Sequence, residues 1–175
     1  HELALAVLGA VVPHKGHRVL VDAIARAGLD GVELLVAGPL GDPAYARELR
    51  ARADAVPGLR LRLVGPYEPC DLSALLAGVD VLVAPSLWPE TFCLVVREAL
   101  ARGVPAITTR LGALPDGVED GVDGFLYEHD APAELGTLLR RLAREAGLLA
   151  RLREGASRSR VTTLDEHVRE VRTVY

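Results

Sequence analysis

Six short apolar runs punctuate the 175-residue chain: Leu3–Leu8, Val32–Ala37, Leu59–Val64, Val79–Ala84, Pro105–Thr108 and Gly124–Tyr127. Most are near-continuous in Leu, Val and Ala, the composition of strands covered on both faces. Between them the apolar positions spread to helical spacing over Val19–Ala27, Ala44–Ala55, Asp71–Ala77, Leu94–Arg102 and Pro132–Arg144. Two further helices are predicted at Leu148–Ser157 and Leu164–Tyr175. Asp71 suits an N-cap, and Gly28, Gly78 and Gly103 stand where helices should stop. Regular alternation of strand and helix predicts an α/β fold, a Rossmann-like parallel sheet of about six strands with helices on both faces. Residues 1–175 read as one domain, with 146–175 as a helical tail.

Composition narrows the partners. The chain is 50% hydrophobic and 25% charged, a globular balance, and its net charge of -4 argues against a nucleic-acid partner. No apolar run approaches the ~20 residues needed to span a bilayer. Cys70 and Cys93 have no metal-ligand spacing around them, so a reducing cytoplasm is the expected location. The chain contains no methionine and reads as an excerpt of a longer protein. Of its 20 basic residues only Lys15 is a lysine, which draws attention to that position.

In open α/β sheets ligands bind at the carboxyl ends of the strands. The loops there begin at Gly9, Gly38-Pro39, Gly65-Pro66 and Pro85 and include Gly112. The stretch Pro85 to Leu94 leads into a helix expected to start near Phe92 or Cys93, whose unpaired amides and positive dipole end suit a diphosphate. Glu98 shares a helix face with Leu94 and Val95, and a carboxylate there needs hydrogen-bond donors such as the vicinal hydroxyls of a ribose. Glu90 is placed to meet hydroxyls of a sugar on the distal phosphate. Spacing alone fits equally a favourable early-helix charge at Glu98 and a solvated Glu90. The loop Gly9 to His17 is neither a Walker A loop nor G-x-G-x-x-G, yet it sets the ammonium of Lys15 at the strand ends, as a phosphate contact or as a solvated lysine. His14 and His17 lack a third metal ligand nearby, and the chain has neither an Asp-x-Asp pair nor a Gly-x-Ser-x-Gly elbow. No metal is expected.

Taken in order, these motifs resemble the C-terminal, donor-binding domain of family-four (group 1) retaining glycosyltransferases of the GT-B fold. The family has a glutamate, Phe-Gly, a second glutamate eight positions after the first, then Ala and Gly-x-Pro. Here the stretch reads Glu90-Thr91-Phe92-Cys93-Leu94-Val95-Val96-Arg97-Glu98-Ala99, followed by Gly103-Val104-Pro105. Pro85-Ser86, Lys15-Gly16-His17 and the stretch Gly112, Pro115-Asp116, Asp120-Gly121, Gly124 extend the likeness over nearly the whole chain. Three departures stand out: Ala10 where the family usually has Arg, Cys93 where it has Gly, and Ala113 and Asp116 where Gly and Glu are common.

The resemblance implies a nucleotide-diphospho-sugar donor and no cofactor. Lys15 and Glu90 would be the catalytic residues. Glu98 would hold the ribose and Glu90 the transferred sugar. Amides of Cys93, Leu94 and Val95, in the loop with Thr91 and Phe92, would hold the diphosphate together with Lys15. Gly9, Gly38, Gly65 and Tyr67 would frame the donor and its base. The expected reaction is a retaining, metal-independent sugar transfer. The acceptor, a sugar, lipid or small molecule, would be bound mainly by an N-terminal domain absent from this chain. Peripheral contact with the inner face of the membrane would also come through that half. A non-catalytic nucleotide-binding module is the alternative, with a GT-B-type sugar-nucleotide epimerase or phosphorylase as another.

Overall fold

A computed structural model describes residues 2–159. The helix expected at Leu164–Tyr175 lies outside the described residues. Six strands form one parallel sheet: β1 (Leu3–Leu8), β2 (Val32–Ala37), β3 (Leu59–Gly65), β4 (Val81–Ala84), β5 (Ala106–Thr109) and β6 (Gly124–Tyr127). Their order is β3-β2-β1-β4-β5-β6, so the chain reverses its direction of travel between β1 and β4. That switch point opens a crevice at the carboxyl ends of the two central strands.

The crossovers are α1 (His17–Ala27), α2 (Pro43–Asp54), α3 (Leu72–Leu76) and α4 (Leu94–Leu100), and α5 (Pro132–Arg144) and α6 (Leu148–Arg158) close the described fold. Because strand side chains alternate, β1 feeds two cores. Leu3, Leu5 and Val7 join α1, α2 and α5 on one face, while Ala6 and Leu8 join α3 and α4 on the other. At the base of the sheet Asp80 is 2% exposed. Its carboxylate accepts the Ala4 amide at 2.9 Å and pairs with Arg153 of α6 at 2.6 Å.

Several expected boundaries move for local reasons. β4 begins at Val81, because the Val79 amide still bonds Leu76 in the turn and Asp80 turns inward. Asp71 holds the N-cap position of α3 as expected, but its carboxylate makes no capping bond there and instead accepts the Glu68 amide at 2.9 Å, closing a 3-10 turn over Pro69–Asp71. β3 is an edge strand whose Arg60 and Arg62 face solvent, in place of a strand covered on both faces. α4 stops at Leu100, and residues 101–103 form a turn.

Candidate active site

The β1–α1 loop and the β4–α4 loop meet across the switch point. A 3-10 turn over Pro13–Lys15 ends at Gly16, whose φ of 72° is left-handed. A Cβ at Gly16 would sit 1.7 Å from the Pro85 carbonyl oxygen, so glycine permits the two loops to touch. The Leu87 amide donates to the His14 carbonyl at 2.8 Å and locks the contact. On its other side the β4–α4 loop leans on the loop after β5. Thr109 donates to the Ser86 carbonyl at 3.2 Å, and the Ala113 amide donates to the Glu90 carbonyl at 2.8 Å. Gly112 lies against Glu90, where a Cβ would come within 2.7 Å of the carbonyl oxygen.

These constraints set Lys15 and Glu90 side by side, with Nζ 2.6 Å from Oε1 and the two side chains 30% and 21% exposed. Each is partly exposed and engaged by the other, not standing alone in solvent. The pair joins an ammonium suited to phosphate with a carboxylate suited to sugar hydroxyls.

Cys93 is the N-cap of α4 and has φ 46°, left-handed for a residue with a side chain. Its side chain is buried in the same core cluster as Val96, Ala99 and Leu114. Burial, then the nearby Glu90 charge, pushes the thiol up to about 11. Among the described residues the amides of Leu94 and Val95, at the start of α4 near Lys15 and Glu90, donate to no other group.

Glu98 is the fifth residue of α4, beyond its first turn, which rules out the early-helix charge. The carboxylate is half-buried and has no hydrogen-bond or ion-pair partner among the described residues. It lies close enough to Tyr67 that, after burial, its charge is the second cause raising that hydroxyl's pKa. The ribose and base candidates are thus neighbours. Gly9 and Gly38 follow the ends of β1 and β2, and Gly65 ends β3. Backbone bonds link these loops: Gly9 amide to Ala37 carbonyl at 2.8 Å and Gly38 amide to Gly65 carbonyl at 2.7 Å. Thr91, Phe92 and Leu94 are exposed and Val95 half-buried.

Three residues take on roles that the sequence did not assign them. Arg97 stacks its guanidinium on the Phe92 ring, 4.5 Å from the centroid. Trp88 is 67% exposed in the same loop as Glu90. His17 is buried against Tyr45, and neither ring nitrogen has a hydrogen-bond partner among the described residues. Its position was legible, since Leu20, Val21 and Ile24 follow at helical spacing on a buried face. His14 is exposed, and among the described residues no three His, Cys, Asp or Glu side chains gather as a metal site requires. A cavity of about 540 Å³ lies behind the Pro13–Gly16 turn, lined by Arg18, Asp22 and Arg52. It takes in none of Lys15, Glu90 or Glu98.

Comparison with known proteins identifies the family and the fold. D-inositol 3-phosphate glycosyltransferase of Corynebacterium efficiens is 32% identical over 149 residues, covering 79% of this chain and 35% of its own length. Its namesake in Salinispora tropica is 33% identical over 183 residues, covering 98% and 37% respectively. The chain therefore spans about a third of these curated relatives. Among solved structures, Anabaena Alr3699/HepE in complex with UDP-glucose superposes with a TM-score of 0.85 at 25% identity, covering all of this chain and 50% of that one. The C-terminal domain of a Francisella tularensis group 1 glycosyl transferase, LpcC, superposes at 0.77 with 19% identity, covering 89% of this chain and 82% of that one. No helix among the described residues is long and apolar enough to cross a membrane. The sheet is that of one half of a GT-B fold, and with residues 2–145 matching the family described as glycosyl transferases group 1, the chain belongs to that family.

Proposed function

We propose that this chain is the donor-binding half of a retaining glycosyltransferase that moves a sugar from a nucleoside diphosphate to an acceptor without a metal. The observation that carries it is the Lys15–Glu90 pair at the start of α4, the helix that also bears the half-buried Glu98. In this reading Glu98 takes the ribose hydroxyls and Glu90 the hydroxyls of the transferred sugar. Lys15 and the amides of Cys93, Leu94 and Val95 take the diphosphate.

As the glycosidic bond opens, negative charge grows on the departing phosphate. Fixed positive groups aimed there stabilise that state more than the ground state. Lys15 must then serve the phosphate while Glu90 turns to the sugar, so donor entry divides an ion pair that the free site holds closed.

The solved relative with UDP-glucose supports a nucleotide-sugar donor, and the curated relatives' name makes D-inositol 3-phosphate the first acceptor to try. The acceptor side would come from a second domain, because the GT-B relatives are about twice this length. Cytoplasmic location and contact with a membrane surface through that domain belong to the same proposal.

Calorimetry with UDP, GDP, ADP and their sugar conjugates tests the donor site. Binding by the chain that is lost in Lys15→Ala and Glu98→Ala is expected, and binding indifferent to Glu98→Ala contradicts the ribose role. For the full-length protein, NMR of the product anomer tests retention and activity in a chelator tests metal independence. A second reading, a nucleotide-binding module without transfer, draws on Ala10, which leaves Lys15 as the sole lysine or arginine of the Gly9–Gly16 loop. Donor binding without transfer by the full-length protein would favour it. Release of an epimerised donor would instead mark an epimerase.

A further inference from the structure

Among the described residues Trp88 is the most exposed of the large hydrophobic side chains, at 67%. The exposure is not a consequence of a loose loop. Leu87 is bonded to His14, Ser86 Oγ donates to the Trp88 carbonyl at 3.0 Å, and the Trp88 amide returns to Ser86 Oγ at 3.4 Å. Pro89 follows with a fixed φ, and Glu90 bridges to Gly112. The backbone on both sides is held, and the indole is left facing water. Phe92 and Leu94 in the same stretch are exposed too, at 48% and 62%, and apolar side chains gathered at the surface beside charged groups mark a binding surface.

Its neighbours in the loop are accounted for differently. The Phe92 ring carries the Arg97 guanidinium on its face. Trp88 has no aromatic or cationic partner among the described residues. One residue, Pro89, separates Trp88 from Glu90, so their Cα atoms are at most about 7 Å apart. A ligand spanning the two would meet a flat apolar face on one side and the Lys15–Glu90 charges on the other. A pyranose has that shape of chemistry, with C–H groups on its face and hydroxyls around its edge. A nucleobase also stacks, but a carboxylate and an ammonium side by side match hydroxyls, and the base candidates lie toward Tyr67.

We propose that Trp88 is the platform on which the ring of the transferred sugar stacks while Glu90 engages its hydroxyls, making Trp88 a specificity-determining residue. The proposal rests on the donor reading above, and Trp88 acts on the sugar alone, not on the nucleotide.

Trp88 is the sole tryptophan, so its fluorescence reports on this site directly. The probes are UDP, GDP and ADP and their glucose conjugates, titrated into the chain. The sugar conjugate is expected to shift Trp88 emission where the bare diphosphate does not. By calorimetry Trp88→Ala should reduce the affinity for the conjugate on the order of tenfold and leave the diphosphate unchanged, with Trp88→Phe keeping most of the difference. An unchanged ratio in Trp88→Ala, or an equal loss for both ligands as base stacking would give, overturns the proposal while the donor reading stands. Failure of the wild-type chain to bind any of these nucleotides overturns both.

Discussion

Lys15 and Glu90 lie 75 residues apart in sequence and 2.6 Å apart in space. They come from the loops after β1 and β4, the two strands that flank the switch in sheet order. The pairing is therefore a product of topology: only a chain that builds outward from β1 in both directions sets these two loops edge to edge. It also neutralises, in the free site, the cation that a phosphate would seek.

Opposite effects of the two partners on nucleotide binding follow. Lys15→Ala removes a charge-assisted contact and should weaken a bare nucleoside diphosphate by about tenfold to a hundredfold. Glu90→Gln releases the ammonium from its counter-ion and should tighten the same ligand by roughly threefold, since a partly exposed pair is worth about 0.5–1 kcal/mol. Calorimetry on the two variants decides it. Weakening in both would mean that Glu90 supports the phosphate instead of competing for it.

The sheet and its crevice were legible because β1, β2 and β4 are apolar runs that the strand period and glycine-ended loops mark plainly. Side-chain meetings were not. Periodicity could place Lys15 and Glu90 on loops at the same edge but carries no record of which loop touches which. The edge position of β3 had a signal, the alternating Arg60 and Arg62, that the count of apolar residues masked. Asp71 had a cap residue's chemistry, yet the Glu68 amide lay nearer its carboxylate than the first turn of α3. The departure at Cys93 was visible as a residue type; that the position is left-handed emerged only from the backbone.

That backbone gives Cys93 a distinctive mutational signature. Cys93→Ala and Cys93→Gly both delete the buried thiol, but only glycine relieves a left-handed conformation costing about 1–2 kcal/mol. Against that, glycine loses more freedom on folding, by about 0.5–1 kcal/mol. Cys93→Gly should thus be the more stable of the two by roughly 0.5–1 kcal/mol. Urea unfolding of both variants measures the difference, and an Ala variant equal to or more stable than Gly would show that φ is not strained there. With its thiol near 11, Cys93 should also be alkylated far more slowly at pH 8 than the exposed Cys70.

Asp80 supplies a test of the fold away from the crevice. It accepts the Ala4 amide and the Arg153 guanidinium from a buried position. Asp80→Ala leaves that amide unsatisfied and detaches α6, with an expected cost of about 2–3 kcal/mol. Asp80→Asn keeps an acceptor for Ala4 and should cost less. Equal losses in the two variants, measured by thermal or urea unfolding, would contradict the role of the backbone bond.

His17 should make the protein sensitive to mild acid. Burial, assisted by the charges of Lys15 and His14 and opposed by the Val12 backbone, pushes its pKa down to about 4 from 6.5. The unfolded chain therefore binds the proton first. Stability contributed by the neutral ring is complete above pH 6.5 and is lost progressively as pH falls towards 4, below which both states are protonated and nothing further is lost. Integrated over that window the loss is about 3 kcal/mol. Carboxylates begin to titrate in the lower part of the same range, so the comparison must be with a variant. His17→Phe keeps a ring against Tyr45 and removes the titration, and the difference in unfolding free energy between it and the wild type should change between pH 7 and 4 by that amount, with the wild type losing more. Because His17 opens α1 two residues after Lys15, the same acid step should loosen the turn that presents the ammonium. Nucleoside diphosphate binding should then fall more steeply with acid in the wild type than in His17→Phe, and parallel pH profiles for the two proteins would refute the link.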